Sequence, residues 1–150
     1  RFKPCPAHAV THSRSREWAV WSGDQVIKDD DGYLYFICRT DEMIKTSGYR
    51  VSPTEIEDVV HSTGLITEAA AVGLPHSVLG QAILLVITPA LGVEADDDLK
   101  KTVLSRCRQE LPNYMMPTTI TVRDTLPHNA NGKIDRRKLA EQFQTMFQDN

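Results

Sequence analysis

The longest aliphatic run in the chain, Ala82 to Ile87, is the feature that most constrains the fold. A membrane-spanning helix needs about 20 consecutive apolar residues, so this run is far too short to cross a bilayer. Bounded by Gln81 and Thr88, it predicts a strand that is buried on both faces. A second strand is predicted from Ile66 to Val72, and other elements must cover this pair.

Three helices are predicted to flank these strands. The first begins after Ser52, a good N-cap residue, with Pro53 at the first helical position. Glu55 would close a capping box, and Gly64 is a plausible stop. The second and third helices are expected to start at Asp96–Asp98 and after Asp135. The residues expected to face the core are Ile56, Val59 and Val60 in the first helix, Leu99, Val103, Leu104 and Cys107 in the second, and Leu139, Phe143 and Met146 in a third helix from Arg136 to about Phe147.

Turn residues predict two hairpins, one across Asp29–Gly32 and one across Thr46-Ser47-Gly48. Their strands are expected at Gln25–Lys28 with Tyr33–Cys38, and at 41–45 with Tyr49–Val51. Together with a strand from Thr118 to Val122, this pattern predicts an α+β fold, a small mixed sheet with flanking helices and a β-hairpin. We expect this domain to occupy residues 41–150. Residues 1–40 are expected to be a tail of separate origin, with a short strand near Glu17–Trp21.

Composition narrows the class of protein. The chain has 150 residues, 41% of them hydrophobic, which is enough for a real core. Its formal net charge of −3 argues against nucleic-acid or membrane-surface partners, which favour basic proteins. Its three cysteines match neither a zinc site nor a disulfide framework, so we expect no metal site and a reducing cytoplasm. Because it starts without methionine, we interpret the chain as a piece of a longer protein.

Two polar segments, Arg39–Arg50 and Leu126–Arg137, place cations on glycine-containing turns between apolar elements. In the second segment Lys133 follows Gly132, and a lysine there can carry a point charge to phosphate or carboxylate oxygens. Arginines can grip the same groups with two parallel hydrogen bonds. By spacing alone each segment is more often a solvated turn. Together they predict a module that closes over an anionic substrate, with Lys133 as a catalytic cation on a flexible loop.

Asp24 follows a glycine and could accept hydrogen bonds from a ribose diol, although an Asx-type turn is the simpler interpretation. The chain's eight glycines are scattered singly, so it has no glycine-rich cradle for a triphosphate. If ATP is a substrate, most of its binding site must lie outside this chain.

These segments closely resemble the C-terminal part of AMP-forming acyl-CoA synthetases, a superfamily shared with peptide-synthetase adenylation domains and luciferases. Ser22-Gly23-Asp24 is similar to the family's T-G-D segment, with serine for threonine. Arg39 to Glu57 follows G-R-x-D-x-x-I-K-x-x-G-x-R-I/V-x-x-x-E-I-E almost throughout, although Cys38 replaces its first glycine. Pro127 to Arg137 matches P-x-x-x-x-G-K-I-D-R-R in full. The resemblance runs from Trp21 to the end of the chain.

The resemblance implies roles for residues of this sequence. Asp24 and Arg39 would contact the ribose of ATP or AMP, and Arg50 would face nucleotide phosphate. Lys133 would bridge the acyl carboxylate and the α-phosphate during adenylation.

Other implied roles concern domain movement and thiol transfer. Asp41 would be the hinge between a large N-terminal domain, whose tail is residues 1–40, and a mobile C-terminal domain. Thr46, Ser47 and Gly48 would line the path of the CoA pantetheine arm.

The activity implied is ligation: a carboxylic acid is activated with ATP, pyrophosphate leaves, and the acyl group passes from an acyl adenylate to CoA. Such enzymes serve fatty acid metabolism, among other roles. ATP or AMP, CoA and Mg²⁺ would be held mainly by the N-terminal domain, so the fragment alone is expected to be inactive. The resemblance also makes Lys133 a candidate target for a protein acetyltransferase.

Two other interpretations stay open. One is a peptide-synthetase adenylation domain, which loads a carrier-protein thiol instead of CoA. The other is a non-catalytic module that binds phosphate through Arg136, Arg137 and Lys138.

Overall fold

The computed structural model describes residues 2–4, 18–20, 23–39 and 42–147. The chain divides into two compact units, Arg1–Asp41 and Glu42–Asn150. Each unit has its own sheet or sheets. No helix within the described ranges is long and apolar enough to cross a membrane.

The first unit contains two antiparallel strand pairs. Strand β1 (Phe2–Pro4) pairs with β2 (Trp18–Val20), and β3 (Asp24–Lys28) pairs with β4 (Leu34–Arg39). The second pair is the hairpin predicted from the aspartate-rich turn. Asp29 closes that turn, because its carboxylate accepts a 2.8 Å hydrogen bond from the Tyr33 amide.

The second unit is a five-stranded mixed sheet with three helices, so the predicted α+β fold is confirmed. In the sheet order β6-β5-β8-β7, every neighbouring pair is antiparallel, while β9 pairs with β8 in parallel. The elements are β5 (Ile44–Thr46), β6 (Tyr49–Val51), α1 (Pro53–His61), β7 (Ile66–His76), β8 (Gly80–Pro89), α2 (Asp97–Glu110), a 3-10 turn (Asn113–Met115), β9 (Thr119–Val122) and α3 (Arg136–Gln142).

Strand β8 lies at the centre of this unit, as its aliphatic run predicts. Residues Ala82 to Ile87 are at most 1% exposed, and successive side chains enter opposite core clusters. One cluster packs the sheet against α1 and α2, through residues that include Ile56, Val60, Leu99 and Val103. The other packs the opposite face against α3 and its flanking segments, through Leu126, Ile134, Leu139 and Phe147. The sheet is therefore covered on both sides.

Helix α1 starts where the sequence predicts but without the expected capping box. Ser52 occupies the N-cap position, yet its side chain makes no capping hydrogen bond. The Ser52 hydroxyl is buried, and it has no hydrogen-bond partner among the described residues. Pro53 starts the helix because its fixed φ suits the first helical position, and it has no N–H group to satisfy. By contrast Asp96 caps α2 through its side chain, which accepts a 2.8 Å hydrogen bond from the Leu99 amide.

Helix α3 is shorter than predicted. It ends at Gln142, and the chain continues in turns in which the Met146 amide donates to the Phe143 carbonyl. This tighter winding shifts the periodicity, so that Phe147 enters the core at 7% exposure while Met146 is 40% exposed. The expectation that Met146 faces inward was wrong for this reason. Leu104 likewise lies in a surface cleft beside β9 instead of the core.

Candidate functional site

The turn that carries Lys133 is tightly hydrogen-bonded. The Asn129 carboxamide oxygen accepts from the amides of Asn131 (2.9 Å) and Lys133 (3.1 Å). The Asn129 amide donates to the Lys133 carbonyl at 2.7 Å, and a β-bridge joins His128 to Ile134. Gly132 has a φ of +76°, which glycine adopts without strain. The predicted flexible loop is thus an ordered turn with Lys133 on its exposed surface.

Side chains tie both ends of this turn to the rest of the unit. At its start, His128 Nε2 lies 2.7 Å from Glu68 Oε1 on β7. After its end, Arg136 contacts Glu57 of α1 through two hydrogen bonds, Nη2 to Oε2 at 2.7 Å and Nε to Oε1 at 3.2 Å. Arg136 Nη1 also reaches Glu42 Oε2 at 3.2 Å.

The carboxylate of Glu57 is buried and lies between Arg136 and the sheet. Glu57 is 7% exposed, and its Oε1 also accepts a 2.9 Å hydrogen bond from the Ala71 amide. Burial acts to lower the pKa of Arg136, but the hydrogen bonds and charge of Glu57, with Glu42, outweigh it and raise that pKa. Arg136 is therefore a fixed cation that joins α3 to α1 around the β7 edge of the sheet.

The second predicted segment forms the turn of the β5–β6 hairpin. Ser47 and Gly48 have φ values of +50° and +83°, a pairing typical of a type I′ hairpin turn. The Ser47 amide donates to the Leu79 carbonyl at 2.9 Å, so the tip lies against the β7–β8 turn. Thr46 is buried, while Ser47 and Gly48 are exposed. No atom lies within 4 Å of a Cβ built on Gly48, so open space adjoins the turn.

Further contacts hold the hairpin in place. The Gln81 carboxamide accepts from the Lys45 amide at 2.7 Å, and Gly73 leaves room for Ile44 and Gln81. A Cβ on Gly73 would lie 2.8 Å from the Ile44 side chain. On the other strand, the ring of Tyr49 stacks on Tyr114, with centroids 4.1 Å apart.

The two turns lie at opposite ends of the sheet. Thr46 is opposite Gly80 at the start of β8, whereas Glu68, which holds the Lys133 turn, is opposite Thr88 near its end. Strands advance about 3.3 Å per residue, so Gly80 and Thr88 are separated by roughly 26 Å. The structure therefore does not bring Lys133 and Gly48 into one pocket of this unit.

The predicted nucleotide residues fall in both units. Asp24 and Arg39 are cross-strand partners in the β3–β4 hairpin, which places them side by side along the first unit's backbone. Arg50 is exposed on β6, opposite Lys45. The predicted hinge residue Asp41 lies outside the described residues, and its role stays a prediction.

Sequence reasoning missed the anchoring residues Glu57, Glu68, Gln81 and Tyr114. For Glu57 a signal was present, because it lies three residues before Val60, next to the apolar stripe of α1. A carboxylate beside the core needs a cationic partner. That partner, Arg136, could not be identified from the sequence, because it is 79 residues away. Glu68, Gln81 and Tyr114 gave no such signal, since their partners are set by strand register and by turns.

The described residues outside the two turns include a buried cysteine and two surface clefts. Among the described residues no group of three or more His, Cys, Asp or Glu side chains could hold a metal ion. Burial raises the pKa of the Cys107 thiol, which suits a core residue and not a nucleophile. Clefts of about 530 Å³ and about 290 Å³ flank α2, and neither is lined by a predicted site residue.

Known proteins share this fold. A family model described as the AMP-binding enzyme C-terminal domain matches residues 55–133, more than half of the chain. Acetyl-coenzyme A synthetase from Stutzerimonas stutzeri (strain A1501) is 35% identical over 129 residues, covering 86% of this chain and 20% of that protein. ATP-bound MatB from Rhodopseudomonas palustris matches with 27% identity and a TM-score of 0.76, covering 84% of this chain and 24% of that one. The anthranilate CoA ligase AuaEII, in complex with anthranoyl-AMP, matches with 28% identity and a TM-score of 0.77, covering 87% and 25%.

The fold and its two turns define a domain of an adenylate-forming ligase. The chain belongs to the family of AMP-binding enzyme C-terminal domains, and it is the C-terminal domain of an AMP-forming ligase. It spans about a fifth of the length of the curated relatives that it matches.

Proposed function

We propose that this chain is the mobile C-terminal part of an acyl-CoA synthetase that catalyses two half-reactions. In the first, a carboxylic acid attacks the α-phosphate of ATP, pyrophosphate leaves, and an acyl adenylate forms. In the second, the CoA thiol attacks the adenylate carbonyl, giving the acyl-CoA and AMP. The observation that carries this proposal is the placement of the Lys133 and Gly48 turns at opposite ends of one sheet.

Lys133 would serve adenylation. Its turn is held by backbone and Asn129 hydrogen bonds, and within the described residues its ammonium group makes no hydrogen bond or ion pair. The charge is thus available to a ligand. When the acid attacks the α-phosphate, negative charge builds on phosphate oxygens, and a positioned cation stabilises that transition state.

The hairpin turn would serve thiol transfer. Ser47 and Gly48 are exposed, and the missing side chain at Gly48 leaves space along which a narrow chain such as pantetheine could pass. Because roughly 26 Å separates the two ends of the sheet, the domain would present one turn at a time to a fixed site. Rotation about a hinge at Asp41, between the two compact units, would exchange them.

Nucleotide contacts complete the proposed site. Asp24 and Arg39, paired across one hairpin, would hold the ribose, and Arg50 would approach the phosphates. The remainder of the ATP site and the acid pocket would belong to an upstream N-terminal domain, so the fragment alone would be inactive. Mg²⁺ would bind there too, together with the ATP phosphates.

The relatives suggest the first substrates to test. Acetyl-coenzyme A synthetases are among the matched curated proteins, so acetate is the first acid and CoA the first acceptor to test. We also propose that the protein works in a reducing cytoplasm. There, a protein acetyltransferase would modify the exposed Lys133. Acetylation would remove the charge on which adenylation depends.

A carrier-protein thiol as acceptor has no specific observation in its favour. The phosphate-binding module is disfavoured, because Arg136, one of its three cations, is committed to Glu57 and Glu42.

The decisive experiment replaces Lys133 in the full-length synthetase. We expect Lys133→Ala to lower ATP–pyrophosphate exchange at least ~10²-fold, by analogy with the loss of one preorganised donor. Thioester formation from supplied acyl adenylate should stay within about twofold of wild type. Lys138→Ala is the matched control, because Lys138 is also an exposed lysine near this turn. Equal losses in both half-reactions would reject the two-turn assignment.

A further inference from the structure

The Lys133 turn is fastened at both ends by contacts between a carboxylate and a basic side chain. Glu68 lies on the face of β7 that packs against α3, and it meets His128 at the start of the turn. The two side chains are 27% and 39% exposed, so solvent only partly weakens this contact. It joins the first residues of the turn to the sheet.

The second contact, between Glu57 and Arg136, connects the two faces of the sheet around its edge. Strand β7 is an edge strand, and Glu57 of α1 accepts a hydrogen bond from its Ala71 amide. Glu57 then binds Arg136, three residues beyond Lys133, through both of its oxygens. Glu57 is buried and Arg136 is partly buried, so the carboxylate depends on its cation. The contact fixes the start of α3 relative to α1 and β7.

We infer that Glu57 and Glu68 are positioning residues for the lysine turn, which hold Lys133 at a fixed place on the domain. Neither carboxylate needs to touch a substrate. A lysine that must meet developing charge gains from being held in place, because a misplacement of about 1 Å can cost roughly 10²-fold in rate. The hairpin turn does not depend on either contact, since it is held by Leu79, Gln81 and Tyr114. This inference rests on the proposed function.

The test compares carboxylate variants in the full-length synthetase, with both half-reactions measured. Glu68→Ala should lower ATP–pyrophosphate exchange about 3- to 10-fold, and Glu57→Ala about 10- to 100-fold. Thioester formation from supplied acyl adenylate should change less than about twofold. Glu141→Ala is the matched control, because it removes an equivalent but exposed partner of Arg137 and should leave both rates unchanged.

Two further measurements separate positioning from general damage. His128→Arg keeps a side chain that can donate a hydrogen bond to Glu68 and should retain most of the exchange activity, whereas His128→Ala should match Glu68→Ala. Amide hydrogen exchange at Lys133 should be faster in Glu68→Ala than in wild type. Glu57→Ala removes a buried carboxylate and could unfold the domain, but Glu68 is partly exposed and keeps the test valid.

Each outcome has a clear meaning. Unchanged exchange activity in Glu68→Ala, or equal loss in both half-reactions, would overturn the inference. Lys133→Ala, measured in the same series, distinguishes failure of the proposed function from failure of the positioning role. If Lys133→Ala leaves adenylation intact, the proposed function fails. If Lys133→Ala abolishes adenylation while the Glu57 and Glu68 variants stay active, only the positioning role fails.

Discussion

The two glycine-containing turns of the domain are similar in sequence, but different contacts hold them in place. The hairpin turn at Ser47 and Gly48 is set by backbone geometry, with two positive φ angles and main-chain contacts to Leu79. The Lys133 turn also has backbone hydrogen bonds, but the Asn129 side chain closes it internally, and Glu57 and Glu68 hold its flanks through Arg136 and His128. One turn therefore presents an exposed backbone surface, whereas the other presents the Lys133 charge on a turn whose flanking residues are held by carboxylates.

The largest effect should come from breaking the charged anchor. Arg136→Met leaves the carboxylate of Glu57 buried without its cation, which typically costs about 3–5 kcal/mol. Denaturant unfolding of the chain should show this loss as a lower midpoint. Arg137→Met, which removes the exposed pair with Glu141, should change stability by less than about 0.5 kcal/mol. A similar small effect from both variants would mean that the Glu57–Arg136 contact does not hold the domain together.

An intermediate effect should come from crowding the base of the hairpin. In Gly73→Ala the new methyl group would lie 2.8 Å from the Ile44 side chain and 3.0 Å from that of Gln81, so these side chains, which hold the hairpin, must shift. Overpacking of this kind costs typically about 1–3 kcal/mol. In the full-length enzyme, thioester formation should fall more than adenylation, because the displaced side chains support the hairpin and not the Lys133 turn. A greater loss of adenylation would contradict the separation of the two turns.

The smallest effects should come from the turn glycines themselves. Gly48 and Gly132 both have positive φ, and a Cβ on either would meet no atom within 4 Å. Alanine at each position should therefore cost only the backbone strain, about 1–2 kcal/mol, in unfolding measurements. The functional effects should differ: Gly48→Ala should impair thioester formation, and Gly132→Ala should impair adenylation. Loss of the same half-reaction in both variants would show that the turns do not have separate roles.

Much of this protein could be predicted from local pattern. The aliphatic run at Ala82–Ile87 required a strand covered on both faces, and Asp96 and Asp135 marked helix starts that the structure confirms. The predictions that failed were those in which tertiary packing overrides a local sequence rule. Ser52 has the right residue type for a cap, but its hydroxyl is buried without the expected hydrogen bond. Met146 follows the helical period, but α3 ends before reaching it.

By itself the sequence determined the elements, the two polar turns and the family, because periodicity, turn chemistry and motif spacing are local properties. Only the tertiary structure decided where those turns lie. Their placement at opposite ends of the sheet follows from the register of β5, β7 and β8, which no single segment encodes. The anchors of Lys133 likewise depend on burial: Glu57 binds Arg136 across 79 residues of sequence because the fold buries that carboxylate, and a buried charge needs a partner.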